Sequence, residues 1–424
     1  MCHHRAVVIA PEPSIYTPEP MNKATNQAPD WRAAVYELAA IDRPSASDGE
    51  RRAAELIAER LDALGFPAVV EEERAHGGYW WPIGLVNAAA SGAGLLALRR
   101  ARAGGRAGAA ARVLAAALGG AGAAALWDDL GHGRRWFRRA LLPYRSTWNV
   151  VAEAGDPAAQ STVVLIAHHD AAHSGLVFHP ALPRIPLKVA PRLHAAAQRS
   201  APLLYAVWLG PVMVCLGSVL GARRLLAAGS ALSAGATVAM ADIGLRAPVP
   251  GANDNLSAVG AVLGVAERLR ERPLSGLRVL LVSTGSEESF SEGMQAFGHR
   301  HFPQLDPERT EMICLECVGG PTLIVVEGEG MLRMRDYPPA SREALAEAAA
   351  RAGIPIGRGL RTTAATDAIV ALRAGYPVAT LASVDETKLP MNYHWPNDVP
   401  DALHWGTIEQ AIAVCEEFVR SRAA

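Results

Sequence analysis

The chain carries almost no net charge: 41 Lys and Arg face 42 Asp and Glu, leaving a formal −1. A basic stripe of the kind that follows a phosphate backbone is missing, which argues against nucleic acid as a partner. Cysteine is scarce as well. Cys2, Cys215, Cys314, Cys317 and Cys415 are scattered and odd in number, which excludes a disulfide framework and favours a reducing compartment. Cys314 and Cys317 have the spacing of a metal or redox pair. With no second pair and no His-x-x-x-His nearby, they read instead as buried residues of a strand. Residues 1–30 hold no apolar core of a signal peptide, being rich in Pro, Asn and His, so a disordered leader is expected there, with Met21 as the start. Charged residues amount to only 20% against 50% hydrophobic ones, so some stretches must be locally apolar.

Those stretches come as two similar insertions. Pro82 to Leu98 carries no charge, then come Arg99, Arg100, Arg102 and Arg106, and a second uncharged run from Val113 to Trp127. The arrangement returns as Ala201 to Ala222, Arg223-Arg224, and Leu225 to Ala241. Trp80, Trp81, Trp127, Tyr205 and Trp208 lie near the run ends, where interfacial aromatics sit. Two helical hairpins that cross a lipid bilayer are expected. Only the third run reaches the roughly 20 residues that a crossing needs. Gly119, Gly120, Gly122, Gly229 and Gly235 would let such helices pack closely. Buried Ala-rich hairpins packed on a soluble core are the other reading.

A globular pattern surrounds the insertions. Trp31, Val35, Leu38 and Ala39 recur at helix spacing, and Ser47 with Glu50 three residues on reads as a capping box opening a second helix. Strands are expected at Trp148–Ala152, Thr162–Ala167, Arg278–Thr284, Glu311–Glu316, Thr322–Glu327 and Val378–Ser383. Helices are expected from Asn255 to about Arg270, over Ser341–Arg351 and Asp367–Ala374, and over Ala402–Arg420. Five short motifs sit at the ends of these strands or the starts of these helices. They are His168-His169-Asp170, Gly251-Ala252-Asn253-Asp254-Asn255, Gly285-Ser286-Glu287-Glu288, Leu315-Glu316-Cys317-Val318-Gly319 and Tyr393-His394-Trp395-Pro396-Asn397-Asp398. Open α/β sheets place their chemistry outside the carboxyl ends of the strands, where these motifs fall.

The residue types suit zinc. Imidazole nitrogen and carboxylate oxygen bind it, and an open coordination position makes water into hydroxide near neutral pH. Two adjacent ions need a bridging carboxylate, a carboxylate and a His for each, and a base. His168 is a ligand candidate whose other N–H Asp170 can accept. Asp254, on a Gly/Asn-rich turn, suits a bridge. Glu287 and Glu288 diverge, so one can bind metal while the other faces water. His169, His173 and His179 are not expected to be ligands, and Asp398 is expected in a turn or behind the ligands.

The five motifs and their order resemble the di-zinc aminopeptidase family, which also contains aminopeptidase Y-type enzymes, glutamate carboxypeptidases and glutaminyl cyclases. The resemblance covers Trp31–Tyr79, Arg145–Ser174 and Pro250 to the C-terminus. It implies two zinc ions. His168 and Glu316 would be terminal ligands of one, Glu288 and His394 of the other, with Asp254 between them, Glu287 as general base and Asp170 orienting His168. Glu316 departs from the pattern, where Asp is usual, so the second zinc depends on its longer arm reaching. Thr366-Asp367 resembles the family's Ser-Asp motif and reads equally as a helix N-cap. Asp385 and Glu386 are candidates for contact with a substrate amine.

The resemblance implies an α/β fold, a mixed, mostly parallel sheet flanked by helices; the two inserted apolar hairpins lie outside it. The expected division is a leader (1–30), peptidase parts at 31–79, 145–174 and 248–424, a first hairpin at 80–130 and a second insertion at 175–247. The implied activity is that of a zinc exopeptidase, most simply an aminopeptidase acting on peptides with a zinc-activated water and a Glu base. A single-zinc cyclase-like acyltransferase and a non-catalytic receptor-like relative are the alternatives. Localisation is expected in a membrane of the bacterial inner type, multi-pass, with lipid bilayer as a partner. The active site is expected on the cytoplasmic face, because about 80 residues precede the first apolar run and nothing in them would export them.

Overall fold

A computed structural model describes residues 30–101, 105–202 and 204–423; the expected leader, save Asp30, lies outside the described residues. Among the described residues ten strands form. They are β1 (Ala68–Ala75), β2 (Arg145–Gly155), β3 (Thr162–His168), β4 (Arg278–Thr284), β5 (Thr310–Glu316), β6 (Thr322–Val325), β7 (Gly328–Glu329), β8 (Arg335–Asp336), β9 (Arg361–Thr362) and β10 (Val378–Val384). The main sheet runs β1-β2-β4-β3-β5-β10-β6, and the three two-residue strands make a small second sheet.

The sheet is mixed rather than mostly parallel. Its centre, β4-β3-β5-β10, is parallel, while β1–β2, β2–β4 and β10–β6 pair antiparallel. Composition explains the split. Thr162–His168 is buried along its whole length and carries no charge before its terminal His, as suits a strand covered on both faces. Edge strand β1 contains Glu71, Glu72, Glu73 and Arg74 and is half-solvated, which an antiparallel edge tolerates.

Helices cover both faces. On one, Trp31–Ala39, Asp48–Ala63, Ser257–Glu271 and Trp405–Arg422 bury Leu38, Ile57, Val259, Leu263, Ile412 and Phe418. On the other, Glu292–His301 and Ala368–Ala374 bring Met294, Phe297 and Ala371 against Ile166 and Val282. In β3, His168 pairs with Thr284 of β4, so both strands end level at one edge. β5 ends at Glu316 beside them. The site is built on that edge.

The insertions form four long apolar helices, Trp80–Arg100, Gly105–Leu130, Tyr205–Val219 and Arg223–Leu245, and the second also carries the short helices Ile185–Val189 and Pro191–Ala196. The four long helices pack as a bundle, the first against the fourth and the second against the third. A Cβ on Gly119 would lie 2.7 Å from the Cys215 nitrogen, one on Gly122 2.8 Å from Val86, and one on Gly229 2.7 Å from the Val214 nitrogen. Those three glycines permit the approach that the sequence implied; Gly120 makes an ordinary contact and Gly235 meets nothing within 4 Å.

Helix lengths depart from the apolar runs. The longest run gives the shortest helix, 15 residues, because Gly221 (φ 67°) terminates it and its first residues precede the helix. The other three reach 21, 26 and 23 residues by taking in flanking arginines and small residues, and are long and apolar enough to cross a membrane. Leu85, Leu95, Val113, Leu118, Leu216 and Val238 point outward and are exposed, so the bundle is not packed inside the α/β body.

Candidate metal centre

Asp254 is the geometric centre. Its Oδ1 lies 3.3 Å from His168 Nε2 and its Oδ2 3.3 Å from His394 Nε2. Glu316 Oε1 lies 3.6 Å from His168 Nε2, and Glu288 Oε2 3.2 Å from His394 Nε2. Two triads result, His168-Asp254-Glu316 and Asp254-Glu288-His394, each offering one ligand atom per residue within 4.8 Å of the others. The longer arm of Glu316 therefore does reach the first triad. His168, Glu287 and Glu288 form a third such group, with Glu287 Oε2 3.8 Å from His168 Nε2.

Each side chain is aimed by neighbours the motif spacing explains. Asp170 faces His168 Nδ1 at 3.3 Å and also accepts the backbone N–H groups of Glu287 and Glu288, at 2.9 and 3.1 Å. One buried carboxylate thus ties the His168 strand end to the acidic pair. The Asp254 turn is stitched by its two asparagines. Asn253 Oδ1 accepts the Gly319 N–H at 2.9 Å, and Asn255 Oδ1 accepts the Cys317 N–H at 2.8 Å while its amide donates to the Leu315 carbonyl. Gly251 opens that turn at φ 57°, a conformation that favours glycine. Asp398 stands behind it, accepting the N–H groups of Asn253 and Asp254 at 2.7 and 3.0 Å. His394 lies between Tyr393, ring centroids 3.9 Å apart, and Phe178 of the second insertion at 4.5 Å.

The electrostatics call for cations. Burial raises the affinity of Glu287 and Glu288 for protons; the charges on Glu316, Asp367 and Glu288 add to it at Glu287, and the charge on Asp254 adds to it at Glu288. Burial would push His168 down, but Glu287, Asp170, Asp254 and Glu316 outweigh it and hold the ring well above its ordinary value. His394 is carried up to about 10, against burial, by Glu288 and Asp254. Burial would raise Asp254, yet the two imidazoles hold it low. His168 Nε2, which faces Asp254 and Glu316, and Glu288 Oε1 are buried without a hydrogen-bond partner, a costly state unless something else satisfies them. Imidazole and carboxylate donors are the set zinc takes, so the residues present fit two such ions.

The other candidates that the sequence offered sort cleanly. His169 turns to Ser283 (3.0 Å), His173 to the Arg246 carbonyl (2.6 Å) and His179 to the Trp395 ring, none towards a triad. Cys314 and Cys317 are buried and free. Asp367 makes no N-cap bond; the Ala368 N–H goes to Thr366 Oγ1, and Asp367 accepts the Thr284 hydroxyl instead, with burial lifting its pKa to about 7. Asp385 is engaged by Thr387, and Glu386 faces Arg184 at 3.7 Å.

Two supports went unseen in the sequence. Arg43, wholly buried, donates to the carbonyls of His169, Pro250 and Gly251 at 2.6, 2.7 and 2.8 Å, bracing the His168 and Asp254 segments together. Glu50 closes half of the expected capping box: its N–H donates to Ser47 Oγ at 3.2 Å, but its side chain does not return to the Ser47 N–H. Its carboxylate accepts the Ala46 and Ser286 N–H groups, and so anchors the loop that carries Glu287. Arg43 has no signal in a turn sequence, whereas the Ser47–Glu50 spacing drew attention to Glu50 for the wrong partner.

Comparison with known proteins fits this geometry. Residues 237–419 match the family described as Peptidase family M28, a segment that contains Asp254, Glu287, Glu288, Glu316 and His394. No curated protein matches the chain. Among solved structures, an aminopeptidase from Aneurinibacillus sp. strain AM-1 superposes with a TM-score of 0.52 at 13% identity, over 94% of each chain. The glutaminyl cyclase of Bacteroides thetaiotaomicron gives 0.52 at 14% identity, over 94% of this chain and 99% of that one. A Zn-dependent exopeptidase from Parabacteroides distasonis gives 0.52 at 14%, over 93% and 98%. At these identities the likeness is one of fold. The family match agrees with the di-zinc aminopeptidase and glutaminyl cyclase superfamily that the five motifs resemble, and the neighbours share its fold.

Proposed function

We propose that the chain is a zinc-dependent exopeptidase, an aminopeptidase by preference, attached to a membrane by its two hairpins. The observation that carries this reading is the position of Asp254, whose two oxygens each face one imidazole at 3.3 Å, so that two ligand triads share one carboxylate. His168, Asp254 and Glu316 would hold one ion, and Asp254, Glu288 and His394 the other. Zinc there supplies Lewis acidity and lowers the pKa of water towards neutrality.

The chain's own groups do the rest. Glu287 reaches the space between the triads and is buried, so it holds a proton more readily than a free glutamate. That suits a general base that takes the proton of the attacking water and returns it to the leaving amine. Asp170 fixes His168, and through two N–H groups it fixes Glu287 and Glu288 as well. A pocket with Ile324, Val326, Leu360, Ala382 and Val384 among its lining opens beside Glu287 and would receive a substrate side chain.

Replacing Glu287 with Gln is expected to abolish release of free residues from a dipeptide panel while bound zinc stays near its native amount. Full activity in that variant would overturn the mechanism. An N-blocked panel run alongside tells an amino-end from a carboxy-end requirement.

A cyclase-like reading on one zinc is the alternative, and fold neighbours include glutaminyl cyclases. Completion of the Glu316 triad favours two metals, so metal content of the purified protein discriminates between the readings. A receptor-like relative without catalysis would have no use for both complete triads. Membrane attachment is supported by three helices of spanning length and apolar composition and by the outward leucines and valines of the bundle. We place the active site on the cytoplasmic face; if the 15-residue Tyr205–Val219 helix crosses together with the three longer ones, an even number of crossings keeps all three peptidase segments on one side, and Cys314, Cys317 and Cys415 are free thiols.

A further inference from the structure

We propose that Arg135 and Arg138, from the segment that leaves the first hairpin, are positioning residues that clamp the Glu287-Glu288 loop; the catalytic meaning of the clamp rests on the function proposed above. Neither arginine belongs to any of the five motifs, and both lie in the connection between the first hairpin and β2.

The loop needs holding. Ser286, Phe290 and Ser291 have φ of 48°, 69° and 58°, so three non-glycine residues within six adopt the left-handed conformation. Its amino-terminal half is tied by Glu50 and Asp170, as described. Its carboxyl-terminal half is tied by the arginines. Arg138 Nη1 donates to the Ser289 carbonyl at 2.6 Å, and Arg135 donates to the Phe290 carbonyl. Ser289 is the residue next to Glu288.

The arginines are themselves pinned. Arg138 meets Asp129, in the last turn of the Gly105–Leu130 helix, at 3.0 Å, and Glu292 at 3.6 Å; Arg135 Nη1 lies 3.5 Å from Glu292. Glu292 in turn accepts the Ser289 hydroxyl at 2.7 Å and the N–H groups of His76 and Gly77. Two guanidinium groups and two carboxylates, all at most 5% exposed, therefore balance one another beside the loop. Buried charges are costly unless paired, and here two cations face two anions, although Asp129 Oδ1, Arg135 Nε and Arg138 Nη2 find no hydrogen-bond partner. The planar fork of Arg138, donating to Asp129 through Nε and to the Ser289 carbonyl through Nη1, sets the position of that carbonyl. Through Asp129 the end of an apolar helix is rigidly joined to the loop that presents the base. Lysine keeps the charge of Arg138 but cannot serve the Ser289 carbonyl, Asp129 and Glu292 at once.

The test uses the full chain in detergent with Arg138→Lys, and Asp129→Asn as the second variant should the first not fold. Amide hydrogen exchange of 286–291 in the metal-depleted protein is expected to quicken about tenfold or more, as a loop released to local opening does, while 405–422 is unchanged. With zinc restored, kcat on leucine 4-nitroanilide is expected to fall about 10- to 100-fold with KM within about twofold, the signature of a displaced base rather than a lost binding contact. Unchanged exchange in 286–291 would overturn the clamp. Equal quickening in both segments would reduce the arginines to general stabilisers and overturn it too. Because exchange is read without substrate or zinc, an active Glu287→Gln variant would sink the proposed chemistry while leaving the clamp to stand or fall on its own.

Discussion

At the scale of single residues the site consists of ligand candidates held by groups that touch no substrate. Asp398 accepts two N–H groups of the Asp254 turn, so Asp398→Ala strands both donors in a buried place. Each such donor costs about 1–3 kcal/mol, and loss of a group supporting a ligand typically weakens metal binding about 10- to 100-fold. Chelator competition should show that loss while the ligands themselves are intact. Glu316 offers the converse test. Its carboxylate is 3.6 Å from His168 Nε2, and Glu316→Asp shortens the arm by one methylene. That variant is expected to retain two zincs and most of the activity. A titration in which the native chain binds one zinc tightly and a second weakly would instead show that the longer arm does not serve.

Glu267 carries a pH effect independent of the site. Burial raises its pKa to about 7, with the Trp31 N–H it accepts working in the other direction. Because the folded value is above the unfolded one, this group's stabilising contribution is complete below about pH 4.3 and is lost as pH rises through 7. Half-exposure screens the effect, so about 1 kcal/mol is expected. Glu267→Gln should leave Tm at pH 5 nearly unchanged and raise it at pH 8. An equal shift at both values would contradict the assignment.

At the scale of elements, the two hairpins meet through particular glycines. Gly119→Leu drives a side chain into backbone 2.7 Å away, whereas Gly235→Leu enters open space. The first is expected to cost at least the 1–3 kcal/mol typical of overpacking, and the second close to nothing, read as melting temperature in detergent. The elements also show what the sequence disclosed and what it withheld. Strand ends bearing His168, Glu287 and Glu316 were legible because a buried run that stops at an acid or imidazole has few other uses. Parallel pairing was legible for β3 and β4, which carry no interior charge, but not for the edges, where pairing depends on neighbours far along the chain. Helix lengths in the hairpins were misjudged because charge was counted as a stop, although arginine's long stem lets a helix continue past the end of an apolar run. Arg43, Glu50 and Arg138 were illegible as site residues for a common reason. Each acts through a carbonyl, an amide or a carboxylate over 100 positions away, and no local pattern encodes such a partner.

At the scale of the whole molecule, a four-helix apolar bundle stands beside an α/β enzyme. Its arginine-bearing turns (Arg99, Arg100, Arg106, Arg223, Arg224) lie at one end, and Trp80, Trp127, Tyr205 and Trp208 at the other. If the bundle spans lipid, the protein is expected to resist a carbonate or high-salt wash and to need detergent, and a reporter fused after Ala424 should behave as cytoplasmic. Release by salt would make the bundle ordinary packed protein, and an exported reporter would reverse the orientation.

The order in which the sheet is laid down has a consequence for synthesis. β2 leaves the ribosome early, yet one of its two neighbours, β4, begins only at Arg278, after the entire second insertion has been made. β3 waits likewise for β4 and β5. A nascent chain halted before residue 278 therefore exposes open strand edges, the kind of surface that aggregates or recruits chaperones. Arrest peptides placed along the chain should register a folding force only once β4 has cleared the exit tunnel. The second hairpin is made before the sheet can close, yet the first triad must await Glu316 and the second His394, so for this chain the two triads can assemble only when synthesis is nearly complete.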